Sequence, residues 1–197
     1  MKKKKRLAVI IVIVFLIIGG LFKISYSEVV YEAIGGYKDF TFGMTYDEVK
    51  SILLDKLFPA EDQGEPLTYY TFRDYFLYDS VDVYFGFYDN LLKRVWIVFS
   101  NPHSPDEWTD LFQKYQAAFL AKYGPITKSY MPKSEDRQFT IGQLIKMGRK
   151  MWYAEWDDNY GKLWMVLAGS EGEIYFYIYF DSKDLQNIPG VQSGLQF

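Results

Sequence analysis

The chain has 197 residues, 49% of them apolar and 20% aromatic, a composition that supports a packed core and excludes a disordered polymer. It contains no cysteine, which excludes disulfides, thiol catalysis, thiolate metal sites and a lipid-modified N-terminal cysteine. Six of the 22 basic residues and none of the 25 acidic ones precede Glu28, so the remainder carries 16 basic against 25 acidic residues, a net charge of −9; with no basic stripe among its aromatics, this region argues against nucleic acid as a partner.

Residues 1–27 read as an export segment. A KKKKR cluster precedes an apolar run at 7–22 broken only by Gly19 and Gly20, and the positive end is expected to stay in the cytoplasm. Ser25 and Ser27 fit the small-residue positions of a signal peptidase site that would cleave after Ser27. The run is also close to the length of a retained anchor, so cleaved signal and single membrane anchor both stand; a buried helix of the domain is disfavoured because the run has no polar face. Residues 28–40 form a linker or a first strand leading into the domain.

A helix is expected from the N-cap Thr45, with Glu48 completing a capping box, Val49, Ile52, Leu53 and Leu57 on one face, and Pro59 closing it. Residues 67–73 then read as a strand. Val81, Val83, Phe85 and Phe87 alternate with Asp82, Tyr84, Gly86 and Tyr88, and Asp89-Asn90 predicts a two-residue turn into a partner strand over 91–99. The most completely specified helix follows: Ser104 as N-cap, Pro105 at its first position, Glu107 for the capping box, and an apolar stripe of Trp108, Leu111, Phe112, Tyr115, Phe119 and Tyr123 that ends at Gly124-Pro125. After a weakly helical stretch around 142–148, strand patterns cover 151–157, 162–168 and 173–181, joined by turns in DDNYG and SEG.

Single helices beside runs of strands predict an α+β domain over 41–197: a two-layer sandwich with an antiparallel sheet of about six strands covered on one face by two main helices. The order repeats, helix then three strands over 41–100 and again over 101–182, which implies duplication of an α-β-β-β unit. A flexible tail is expected after 182.

Gly43, Met44, Thr45, Glu48 and Val49 resemble the G-M-T/S-x-x-E/Q-V opening of small bacterial cell-envelope proteins, the outer-membrane-assembly small lipoproteins and proteins of the β-lactamase-inhibitor-like α+β fold. The chain departs from the lipoproteins in having no acylatable cysteine. The resemblance implies a non-enzymatic envelope protein that uses its sheet to bind another protein, and it transfers no individual site residue.

Chemistry-bearing residues are sparse. His103 lacks a nucleophile, since its neighbour Ser104 is accounted for as a helix cap. Asp157, Asp158 and Asn159 cluster oxygens as a calcium loop does, without its alternating spacing or distal glutamate, and a hairpin turn accounts for them. No phosphate-cradling loop or metal motif is present and no cofactor is implied; a carboxylate-dependent hydrolase stands as a further alternative, since the carboxylate pair of a glycoside hydrolase can come from distant strands, although no pair stands out.

The unusual feature is the last strand, EIYFYIYFD. Ile174, Phe176, Ile178 and Phe180 fall on one face and Tyr175, Tyr177 and Tyr179 on the other. With the aliphatic face toward the helices, a tyrosine ladder occupies the open face of the sheet, joined by Tyr84, Tyr88 and Trp96. Such a face suits a protein partner, or alternatively envelope glycan through ring stacking. Cross-strand stabilisation of a half-solvated sheet accounts for the same residues without a ligand. Trp152 and Trp156 share one face of their strand, and either face could be inward.

Overall fold

The computed structural model describes residues 30–54, 56–60, 66–76, 79–99, 104–131, 138–170 and 172–191. The expected export segment and His103 lie outside these residues. Where 28–40 was expected to be a linker or a strand, β1 (Gly36–Tyr37) and β2 (Phe40–Thr41) form a small hairpin. The helix α1 (Tyr46–Ile52) follows with both hydrogen bonds of the Thr45–Glu48 capping box in place. It is shorter than its apolar spacing predicts, because Leu54 adopts a left-handed φ of 50° that no helix can continue through. Leu57 is buried from beyond the helix, and Phe58–Pro59 becomes a short strand, β3.

The meander β4 (Thr68–Phe76), β5 (Asp79–Tyr88) and β6 (Leu91–Phe99) comes next. Asp89 and Asn90 turn β5 into β6 with φ of 49° and 63°, the two positive values that a two-residue hairpin of matching twist requires. After α2 (Pro105–Tyr123) come β7 (Lys128–Tyr130), α3 (Ile141–Lys146), β8 (Trp152–Asp157), β9 (Gly161–Ser170) and β10 (Glu173–Ser182). The fold is α+β, with one antiparallel sheet in the order β3-β4-β5-β6-β10-β9-β8-β7. Eight strands form this sheet where six were expected, since β3 and β7 add an edge on each side, and the described residues include α3 beside the two main helices.

One face of the sheet carries the core. A single register row runs Phe85, Val95, Phe180, Leu163, Trp156 across five strands, and all five side chains are buried. The stripe of α2 lies against this face: Phe112 and Tyr115 pack on Phe176 at ring-centroid distances of 5.7 and 5.8 Å, and Phe119 meets Trp156 edge-on at 5.8 Å. Burying rings of this size contributes about 1.5–3 kcal/mol each. Trp152 and Trp156 both point inward, and the Trp156 indole donates to the Gly124 carbonyl at 2.9 Å, satisfying an acceptor at the helix end. Helix α3 starts from its own capping box, Thr140 with Gln143.

Beyond β10 the chain does not leave the sheet at once. Lys183–Asn187 forms a 3-10 turn, and Leu185 is buried in a second, smaller cluster with Leu67 and Tyr69. Of the stretch after β10, Leu185, Ile188 and Val191 pack in this cluster; 192–197 lie outside the described residues.

Candidate binding face

The strand alternation of β10 places Phe176, Ile178 and Phe180 in the core and turns Tyr175, Tyr177 and Tyr179 to the other side of the sheet. Pairing then determines their neighbours. Tyr179 stands opposite Trp96 on β6 and Trp164 on β9, and Trp96 stands opposite Tyr84 on β5, so four aromatic side chains line up across four central strands. Trp96 and Tyr179 lie nearly parallel, 11° apart with centroids at 5.5 Å; Tyr84 follows at 4.9 Å from Trp96, and Trp164 meets Tyr179 edge-on at 6.4 Å. Along β10 the ladder continues, with Tyr177 6.2 Å from Tyr179 and Tyr175 5.9 Å from Tyr177. Tyr175 is the most open of these rings, 39% exposed, and Tyr84, Trp96, Tyr177 and Tyr179 are half-buried.

Trp164 is a member that sequence reading missed. All of 163–167 is apolar, so alternation there does not distinguish the two faces, and only the pairing with Tyr179 assigns it. The indole N–H groups of Trp96 and Trp164 are buried with no hydrogen-bond acceptor among the described residues.

Tyr88 stands apart from the row. Alternation keeps Tyr88 on the same face of β5 as Tyr84, and at the end of the strand, past the register shift that leaves Lys93 of β6 unpaired, it packs beside Tyr84 against Leu67, Tyr69 and Leu185. The C-terminal turn thus covers this end of the face, and the tyrosines of β10 form its more open end.

A charged row underlies the covered end. Arg94 on β6 and Asp181 on β10 are paired in register and joined by two hydrogen bonds, Nε to Oδ1 and Nη2 to Oδ2, each 2.8 Å. Arg94 also donates to the Tyr69 hydroxyl at 3.3 Å. Gly86 permits this arrangement, because a Cβ there would lie 2.9 Å from the Tyr69 ring and 3.3 Å from the Arg94 Cβ. The guanidinium sits 5.8 Å from the centre of the Tyr179 ring, which ties the base of the aromatic ladder to the ion pair. Burial, and secondarily the neighbouring Tyr175, push the Tyr177 phenol up to about 12. Burial also raises Tyr153, whose hydroxyl donates to Glu155.

The carboxylates of Asp157 and Asp158 in the β8–β9 turn are engaged within the chain. Asp158 accepts from the backbone N–H of Ile34 at 2.7 Å, of Tyr160 at 2.7 Å and of Gly161 at 2.9 Å, and Asp157 pairs with Lys162 and Lys183. This is the turn reading, with the carboxylate of Asp158 also fastening the chain ahead of β1. No group of three or more acidic or histidine side chains converges as metal ligands among the described residues.

The G-M-T stretch has a local structural role. Gly43, at φ 90°, donates its N–H to the Leu92 carbonyl at 3.0 Å, and Leu92 returns its own N–H to Met44 at 2.8 Å, so the stretch docks the start of α1 on β6. Among the described residues no helix is long and apolar enough to cross a membrane. No protein-family model, curated protein or solved structure matches the chain.

Proposed function

We propose that this is a non-catalytic, extracytoplasmic binding module that engages an envelope protein through the open end of its aromatic sheet face. Residues 1–27 would hold it at a membrane facing outward, or release it after cleavage at Ser27, as their charge and hydropathy imply. In this reading the domain is a two-layer sandwich grown from two α-β-β-β halves. The strand order supports it, because β4-β5-β6 and β10-β9-β8 run outward as mirror-ordered meanders from the central β6·β10 pair.

The observation that carries the functional reading is the ring geometry. Trp96 and Tyr179, and Tyr175 and Tyr177, are stacked in pairs, so each of these rings has one face taken by its stacking partner. Ring edges and hydroxyl tips suit a protein surface with hydrogen-bonding groups, whereas a sugar platform needs several open ring faces. The test is affinity capture from the native envelope with the full chain and with a Tyr175→Ser/Tyr177→Ser variant. Loss of a defined protein on the double substitution supports the reading. Retention of that protein refutes it, and loss of binding to cell-wall polysaccharide instead would replace the protein partner with glycan. Tyr179 is spared because it packs against the buried guanidinium.

A further inference from the structure

A recess lies on the helix side of the sheet, away from the tyrosine face. Tyr37 of β1, Phe76 at the end of β4, Phe180 of β10 and one side of α2 enclose a cleft of about 260 Å³, with Lys38 and Lys122 among its lining residues. This is just below the size range of ordinary small-molecule sites, so it admits a ligand of one or two fused rings. Its interior is apolar: Phe76 is in ring contact with both Tyr115 and Phe119, and Phe180 meets both Tyr37 and Phe119.

The polar groups around it are asymmetric in what they have left to offer. The Tyr115 hydroxyl is used on the Phe76 carbonyl at 2.7 Å and on Asp79 at 3.0 Å. The Tyr37 hydroxyl is used on Asp74 at 3.2 Å, and Asp74 accepts in addition from Lys38 and from the Tyr75 backbone. An ammonium has three N–H donors. Lys38 directs hydrogen bonds to Asp74 and the Tyr75 carbonyl, and Lys122 is paired with Glu32 at 3.1 Å. Both ammoniums are held 5.2 Å from the centre of a lining ring, Lys38 over Tyr37 and Lys122 over Tyr123. Lys38 also sits at a turn position of positive φ, 51°, where glycine or asparagine would suit the backbone better, so its side chain is what recommends it there.

We infer that this cleft binds a small aromatic monocarboxylate, its ring among Phe76, Phe119 and Phe180 and its carboxylate accepting N–H bonds from Lys38 and Lys122. The inference is independent of the aromatic sheet face. Its test uses the full chain in phosphatidylcholine nanodiscs, with naphthalene-2-carboxylate as the probe in equilibrium dialysis and empty discs subtracted. Saturable binding at one molecule per chain is expected. The substitution Ala118→Trp, at an exposed helix position lining the cleft, fills it without entering the core and abolishes binding while the melting transition is kept. The pair Lys38→Met/Lys122→Met weakens naphthalene-2-carboxylate by about tenfold or more, the loss expected of a charge-assisted hydrogen bond, and leaves 2-acetylnaphthalene unchanged. Absence of saturable binding overturns the proposal, as does equal binding by Ala118→Trp or indifference of the carboxylate to the double lysine substitution.

Discussion

Replacing Asp181 by Asn tests the electrostatics of the central seam. The Arg94 and Asp181 side chains are 6% and 5% exposed, so removing the carboxylate charge leaves a guanidinium deprived of a buried counter-ion. Breaking such a pair from one side costs about 3–5 kcal/mol. At roughly 2–4 °C per kcal/mol for a domain of this size, the melting temperature should fall by about 6–20 °C. Differential scanning calorimetry of the full chain, with near-ultraviolet circular dichroism to follow the tertiary packing, reads the change directly. The companion variant Arg94→Met/Asp181→Leu removes both charges, and replacement of a buried pair by apolar groups is often near neutral; it should recover most of the loss. An Asp181→Asn protein that melts within a degree or two of the parent, or a double variant no better than the single one, would refute the reasoning that the pair is desolvated and mutually dependent.

Further outcomes follow from particular contacts. Gly142→Ala should destabilise by about 1–3 kcal/mol, although alanine is the better helix former, because the added Cβ would lie 2.1 Å from the Pro105 carbonyl oxygen; a urea titration in which the variant is more stable would refute this close approach of α3 to α2. Ser104→Ala removes the acceptor for the Glu107 N–H and should cost about 1 kcal/mol, read in the same titration. Asp158→Ala strands three backbone N–H donors and should both lower the melting temperature and speed amide exchange at Ile34; unchanged exchange there would count against the tie between the chain ahead of β1 and the β8–β9 turn. At alkaline pH, Tyr177 keeps its proton in the folded chain to about pH 12, whereas the unfolded chain loses it near pH 10. The unfolded state therefore binds fewer protons in that window and stability falls as pH rises through it. Tyr177→Phe should make this decline shallower, as followed by melts from pH 9 to 12.

The sequence was informative where structure is local. The capping boxes at Thr45 and Ser104, the Asp89-Asn90 turn and the two-faced pattern of β10 each depend on residues within a few positions of one another, and each is present. Where length is too short to show a period the pattern is weaker: β3 and β7, edge strands of two and three residues, leave no signal, and α3, six residues long, shows only as the weakly helical stretch around 142–148. The Thr140-x-x-Gln143 capping box was nevertheless a legible signal for that last helix. Leu57 continues the apolar spacing past the end of α1, while the left-handed Leu54 ends the helix through backbone conformation alone. For the candidate site, alternation identified the tyrosines, but Trp164 joins through pairing, and Tyr84 and Tyr88 are covered by residues about a hundred positions away. Neither fact is encoded near the residues concerned.

The central pairing has a kinetic consequence. The two meanders on either side of β6·β10 can form from neighbouring segments, but the seam joins Arg94 to a residue 87 positions distant. Closing so long a loop is entropically opposed until the contacts that reward it exist, so pairing of the seam is expected to come later than hairpin formation, a sequence that pulsed amide exchange during refolding would check. Until that step, Trp96 and Tyr179 face water on separate unpaired edges, and the aromatic residues that distinguish the finished surface are the ones most exposed to misassociation during its construction.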